Sequence, residues 1–342
     1  MDKSFDTLRC IHHTTSAESA WLNQRLDEIT VKEAVLLHGA IAANPPCCGR
    51  EAVELLAHLP EYELCYPAND PRQLGEFLAR EEYAMDDVLL TYLDLDKLAS
   101  RYMEEHPGQF TGGAYVYHGS GNDGRHYDGT NLAQLEDKDW SVKLRLASDQ
   151  NPEGVWLKLP DYEEINDGRP DEIRIALDVL GVRTIEECQL LDAKCILPEI
   201  RNIAGNYDSL AELIYDGQNL GFALDERGQG MPHFMEKFAA ALEYERCRTL
   251  ADAVDITQNL SCYDFIPEEG FHDYAMRELQ RRGYFRGESS LADCFDFEVY
   301  AANLLEKQGF LLTKDEKSYI TRKDTPFVPV HDHPKSQQMV MQ

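Results

Sequence analysis

The sequence predicts an α+β protein: an elongated chain of small mixed α/β modules with short antiparallel sheets and acidic helices. Three observations predict it. Helical segments with an apolar stripe alternate with short segments of period two. One helix-and-hairpin pattern occurs twice at a fixed offset. A large excess of Asp and Glu is spread over these patterned segments rather than collected in a tail.

The chain has 342 residues, 43% of them hydrophobic and 10% aromatic. That suffices for a sizeable core and makes two or three domains the natural expectation. Residues 52–67, AVELLAHLPEYELCYP, read as a short amphipathic helix followed by an apolar-aromatic stretch ending at Pro67. PRQLGEFLAREE (71–82) carries a Leu74, Phe77, Leu78 stripe and reads as a helix. YLDLDKLASRYMEE (92–105) places Asp94 at an N-cap and repeats Leu95, Leu98, Ala99 and Tyr102 at helical spacing. QFTGGAYVYH (109–118) reads as a hairpin turning at Gly112-Gly113.

The same order recurs near the C-terminus. AVDITQNLSCYDFIP (253–267) resembles residues 52–67, and EEGFHDYAMRELQRRG (268–283) is helical. CFDFEVYAANLLEK (294–307) matches residues 92–105 without a gap at an offset of 202, pairing Asp94 with Asp296, Asp96 with Glu298 and Ala99 with Ala301. FLLTKDEKSYITR (310–322) reads as the second hairpin, turning near Asp315. Between the copies, WSVKLRLAS (140–148), VWLKLP (155–160) and CQLLDAKC (188–195) read as strands. DEIRIALDVLGV (171–182), SLAELIYDG (209–217) and PHFMEKFAAALEYE (232–245) read as helices. The expected organisation is an N-terminal module over 1–118, a linker over 119–138, a small α/β module over 139–206 and a helical module over 207–250. A C-terminal repeat over 251–323 and a flexible tail over 324–342 follow.

Sixty-two acids against 33 bases give a net charge of −29. Residues 51–250 hold 40 of the acids and 18 of the bases. Such a surface repels phosphates, so binding of nucleic acid is excluded as a function. Nine cysteines, an odd number, and an opening MDKSFDTLRCIHH without an apolar core predict a reduced, cytoplasmic protein. The apolar stretch near 34–43 is too short for a bilayer.

Motifs that carry chemistry are weak. Gly119-Ser-Gly-Asn-Asp-Gly124 matches G-x-G-x-x-G, but Arg-His-Tyr-Asp follows where a dinucleotide site needs a helix. His118, Asp123, His126 and Asp128 lie in the same glycine-rich stretch without a recognised ligand spacing. Cys10, His12, His13, Cys47 and Cys48 could be assembled into a zinc site, yet the pairs are adjacent rather than C-x-x-C. No catalytic residue, metal ligand or cofactor is therefore expected.

The carboxylates as a group remain. Glu76, Glu81, Glu82, Asp86 and Asp87 flank the first stripe, and Asp96, Glu104 and Glu105 edge the first repeat helix. Asp161, Glu163, Glu164 and Asp167 form a run, with Glu186 and Glu187 beyond it. Glu268, Glu269 and Glu298 belong to the second copy. Carboxylates three or four apart on a helix lie roughly 5–6 Å apart at Cβ, broadly the spacing of phosphates on one DNA strand. Ordinary solvated helix faces show the same pattern, so charge alone does not decide.

The segment from Trp140 to Arg322 resembles the ArdA antirestriction family. The likeness is carried by VWLKLPDYEEI, the Asp208-Ser-Leu-Ala-Glu-Leu helix, AVDITQNLSCYDF (253–265) and CFDFEVYAANL (294–304) with its hairpin. Residues 51–118 then look like an additional partial copy. The resemblance implies a DNA mimic that occupies the DNA-binding cleft of a type I restriction-modification enzyme, with no catalysis and no membrane. It also implies a third module suited to homodimerisation. The same physics would serve an anti-CRISPR-like inhibitor of another defence complex, and a metal-dependent enzyme using His118, Asp123, His126 and Asp128 is the remaining alternative.

Overall fold

The computed structural model describes residues 5–119, 126–138, 140–161, 172–200, 202–228, 230–284 and 294–329. The chain forms two compact units, Met1–Lys194 and Cys195–Gln342. The fold is α+β, with three small antiparallel sheets of three strands each.

Unit 1 opens with α1 (Asp6–Arg9), α2 (Ser16–Asp27), α3 (Val31–Ala43) and α4 (Gly49–Ala57). Thr15 with Glu18 and Thr30 with Glu33 form capping boxes that fix where α2 and α3 begin. Strand β1 (Tyr62–Cys65) follows, then α5 (Pro71–Phe77), a π-helical turn over Leu78–Glu82 and the one-turn α6 (Asp87–Leu90). Helix α7 (Leu95–Glu105) leads into β2 (Gly108–Thr111) and β3 (Ala114–His118). The sheet order is β1-β3-β2, with Cys65 and Phe110 both opposite Tyr115. Gly112 and Gly113 hold φ of 56° and 84° at the hairpin turn, as the sequence predicts. Helices α5 and α7 cover one face through Leu74, Phe77, Ala99, Tyr115 and Tyr117.

Helix α3 covers the other face. A Cβ on Gly39 would lie 2.5 Å from Val116, so only glycine permits this approach. The same helix also packs on the second sheet and on α8. That sheet consists of β4 (Val142–Ala147), β5 (Val155–Leu159) and β6 (Gln189–Cys195) in the order β5-β4-β6, with α8 spanning Glu172–Leu180. The N-terminal and central modules expected to be separate therefore share α3 within one unit.

The expected linker also needs correction. From His126 to Lys138 it packs into unit 1, with Tyr127 and Leu135 buried and the Arg50 guanidinium donating to the Tyr127 carbonyl at 3.1 Å. Two apolar anchors outweigh the polar composition of this stretch. Residues 120–125, including Asp123 and all of the Gly-rich motif after Gly119, lie outside the described residues.

Unit 2 holds α9 (Leu210–Gly228), α10 (Phe234–Glu245) and α11 (Leu250–Gln258), then β7 (Tyr263–Pro267) and α12 (Phe271–Arg281). It closes with α13 (Phe297–Lys307), β8 (Leu311–Leu312) and β9 (Ser318–Arg322). The sheet order is β7-β9-β8, and Tyr319 stands opposite Ile266 and Leu312. This is the topology of β1-β3-β2, with Tyr319 in the place of Tyr115. Asp94 accepts from Lys97 N at 3.1 Å, and Asp296 accepts from Val299 N at 3.0 Å. Ala99 and Ala301 are both wholly buried. The repeat read from the sequence is thus a repeat of structure.

The tail is not loose throughout. The Asn259 side chain donates to the Val328 carbonyl at 2.8 Å and accepts from Val328 N at 3.0 Å, so residues to 328 are fastened to unit 2. Residues 330–342, with His331 and His333, lie outside the described residues. Among the described residues no helix is long and apolar enough to cross a membrane.

Candidate acidic interaction surface

Between Glu76 and Glu105 the first repeat carries nine acids and three bases, a local charge of −6. Seven of the nine acids are exposed, and Glu76 and Glu81 are half-buried. The local architecture holds them outward. Leu74, Phe77, Leu78 and Ala99 turn into the core, which leaves the opposite faces of α5 and α7 to solvent. Asp86 accepts from Val88 N and Leu89 N at 3.0 Å and so starts α6. Arg80 is shared by Glu76 and Asp87, which ties the π-helical turn to α6. Lys97 and Arg101 are the other two bases, so the excess persists however they pair.

The centre of this region is apolar. Tyr83, Val88, Leu89 and Tyr92 are exposed within ten residues, Val88 at 68% and Tyr92 at 85%. The sequence hides them because they lie on or beside a single helical turn, too short to show a stripe; of Val88, Leu89, Leu90 and Tyr92, only Leu90 is buried. Large exposed apolar side chains ringed by polar groups are the usual make-up of a protein-binding patch.

The other predicted carboxylates divide. Glu104 and Glu105 are exposed at the end of α7, and Asp96 and Glu298 occupy the same exposed first-turn position in α7 and α13. Glu268 and Glu269 are exposed before α12, where Glu269 lies 3.3 Å from His233. Glu186 is exposed, and Glu187 accepts from Arg183 N and Thr184 N at 3.1 Å. Asp161 is a correction: it is 6% exposed, and its carboxylate accepts from Glu172 N and Ile173 N at 2.9 and 3.0 Å. It caps α8 and is not available to a partner. Glu163, Glu164 and Asp167 lie outside the described residues.

Unit 1 also buries charge. Arg25 forks onto Glu33 at 2.7 and 3.0 Å, and Lys158 bridges Glu33 and Asp137 at 3.1 Å each. Glu172 accepts from Thr30 Oγ1 and Lys158 N at 2.8 Å. Burial alone would raise the Glu33 carboxyl, but Arg25 and Lys158 hold it well below the usual range. Burial, reinforced by Glu33 and opposed by Lys158, pushes Glu172 up to about 7. The network joins α2, α3, β5 and α8 within unit 1 and presents its charges to one another.

The histidines of the enzyme alternative are dispersed in local contacts. His118 meets Glu61 at 3.2 Å, His126 meets Glu54 at 3.2 Å, and Asp128 accepts from Thr130 and Asn131.

Fold and surface together describe an acidic α+β protein whose first repeat exposes apolar side chains and carboxylates within one stretch, Glu76–Glu105. No known protein family matches the chain, and no curated protein and no solved structure is similar to it.

Proposed function

We propose that the chain is a DNA mimic of the ArdA type, a non-catalytic inhibitor that occupies the positively charged DNA-binding cleft of a defence enzyme, foremost a type I restriction-modification complex. The observation that carries this reading is the stretch Glu76–Glu105, where seven exposed acids and four exposed apolar side chains share one folded module. Carboxylates displayed at helix edges attract a cationic cleft over several ångströms and speed encounter. The tyrosines and leucine at the centre would supply the contact energy that diffuse charge does not.

The test is competition. Purified protein at low salt is expected to displace a DNA duplex from a type I methyltransferase core and to lose affinity steeply as salt rises. Failure to displace DNA at low salt would remove the reading. Neutralising Asp96, Glu104 and Glu105 together is expected to weaken binding at least about ten-fold at low salt and little at high salt, whereas each alone should cost only a few-fold. Tyr92→Ala, in contrast, is expected to cost about thirty-fold, the equivalent of roughly 2 kcal/mol, at either salt concentration.

A further inference from the structure

We propose that Cys47, Cys48 and Glu51 form a binding site for a thiophilic divalent cation, zinc foremost, with a fourth coordination position open to solvent. The site is separate from the acidic surface and does not depend on the function proposed above.

The geometry carries the inference. One ligand atom from each of the three residues lies within 4.8 Å of the other two. Around a tetrahedral zinc ion, two sulfurs at about 2.3 Å lie about 3.8 Å apart, and a sulfur and a carboxylate oxygen about 3.6 Å. Side-chain rotations of up to about 1 Å, within reach of residues at the surface, therefore bring all three onto one ion. Adjacent cysteines look unpromising as a pair in sequence. The missing partner is the carboxylate one helical turn further on.

The local chain is preorganised for this. Pro45 and Pro46 restrict the backbone before Cys47. Cys48 is the extended N-cap residue of α4, with φ −148° and ψ 167°. Glu51 folds back so that its Oε2 accepts from Cys47 N at 2.8 Å. Behind the turn, Gly49 meets Thr14 so closely that a Cβ there would lie 2.5 Å from the hydroxyl oxygen. The Thr14 hydroxyl is itself held by the Ile11 carbonyl at 2.8 Å. Arg50, the nearest base in sequence, donates to the Tyr127 carbonyl.

The donor set decides the ion. Two thiolates and one carboxylate favour zinc or cadmium over magnesium or calcium, which take oxygen ligands. Cation binding replaces the thiol protons, so two protons leave as two S–metal bonds form, and affinity should rise with pH. Three protein ligands and one open position give an exchangeable site rather than a closed structural one.

The experiment uses the full-length reduced protein. Zinc titrated by calorimetry is expected to bind at one equivalent, and cobalt(II) should give thiolate-to-metal charge-transfer absorption that zinc abolishes and magnesium does not. Cys47→Ser and Cys48→Ser should each lower zinc affinity at least about ten-fold, and Glu51→Gln should weaken it by a smaller factor. Cys10→Ser and Cys294→Ser, at other exposed thiols, should change nothing. Far-UV circular dichroism checks that the variants fold. As an independent readout in the unmodified chain, one equivalent of zinc should slow alkylation of Cys47 and Cys48 and leave Cys10 and Cys294 unaffected. Absence of a thiolate band, equal zinc affinity in the Cys47→Ser, Cys48→Ser double variant, or no selective protection from alkylation would each overturn the assignment.

Discussion

The two copies of the helix-and-hairpin module share a frame and differ in what surrounds it. Each begins with a helix and a short 3₁₀ turn before its first strand, each starts its last helix at an aspartate cap, and each buries an alanine where that helix meets its neighbour. The first copy fills its core with tyrosines. Tyr102 donates to Tyr117 at 2.9 Å, and Tyr117 donates to Glu63. At the matching positions the second copy has Leu304 and Thr321, and its acid, Asp264, faces Lys323 at 3.1 Å. Helix α3 covers β2 in the first copy, whereas β8 in the second leaves Leu311 and Leu312 exposed. The frame follows from caps, small residues and turns; the flanks are free to carry a surface such as the Tyr83–Tyr92 patch.

The largest expected effects test whether the two frames are energetically equal and separable. Tyr115→Ala and Tyr319→Ala each remove a buried ring and should cost about 3–5 kcal/mol. The two costs should be similar, because Tyr115 packs on Phe110 and donates to the His106 carbonyl at 2.7 Å, and Tyr319 packs on Phe271 and donates to Glu306 at 3.1 Å. All three tryptophans, Trp21, Trp140 and Trp156, belong to unit 1. In urea, Tyr115→Ala should shift the tryptophan fluorescence midpoint. Tyr319→Ala should shift the far-UV circular dichroism transition and leave fluorescence in place. Equal fluorescence shifts for both would mean that the units unfold as one.

Charge sharpens the same contrast. Arg25→Met removes the main cation of Glu33 and a second cation of Asp137, whose nearer partner is Lys158, in a buried setting, and about 3–5 kcal/mol should be lost from unit 1. Arg322→Met in unit 2 breaks a more exposed pair with Glu245 and should cost about 1 kcal/mol or less. Denaturant midpoints of the two variants check the difference. A comparable loss from both would show that burial is not what sets the value of these pairs.

Much of this contrast was legible in the sequence, and the illegible part has a physical cause. The caps at Asp94 and Asp296, the Gly112-Gly113 turn and the alternating strands are local signals, set by hydrogen bonds within a few residues. The place of α3 between two sheets depends on Gly39 meeting Val116, which no short window contains. Asp161 reads like its neighbours in an acidic run, yet capping α8 takes it out of water. Composition counts carboxylates and does not record which are spent on backbone N–H groups. The Tyr83–Tyr92 patch was hidden for the converse reason, since exposed apolar side chains look like core in a sequence. At Cys47 and Cys48 a readable signal existed: Glu51 stands four residues on, at the spacing of one helical turn.

Protonation distinguishes unit 1 in a graded way. Glu172 has its folded pKa raised to about 7, against an ordinary value near 4.5. Between those values the folded chain holds a proton that the unfolded chain has released, so this group's contribution to stability is present below about pH 4.5 and is lost as pH rises toward 7. Glu33 runs the other way: its carboxyl is lowered, so its contribution is present above the ordinary value and is lost as pH falls below it. Glu172→Gln should therefore flatten the decline in the fluorescence midpoint between pH 4.5 and 7 and leave the acid-side loss intact. An unchanged slope would assign the decline to another group.

The smallest effects probe the shared frame itself. Asp94→Ala and Asp296→Ala each remove one side-chain acceptor from a helix N-terminus, and each should cost about 1 kcal/mol. The two caps have the same donor position and nearly the same distance, so the losses should agree within about 0.5 kcal/mol and add when combined, since sites without shared partners are independent. Asparagine at either position should restore most of the loss, because it keeps the acceptor while removing the charge. If Asp94→Asn retains stability but weakens binding to a cationic partner, the cap and the acidic surface are one residue with two roles. If asparagine is equivalent to aspartate in both respects, the charge at Asp94 serves the helix alone and is not part of the acidic surface that its neighbour Asp96 belongs to.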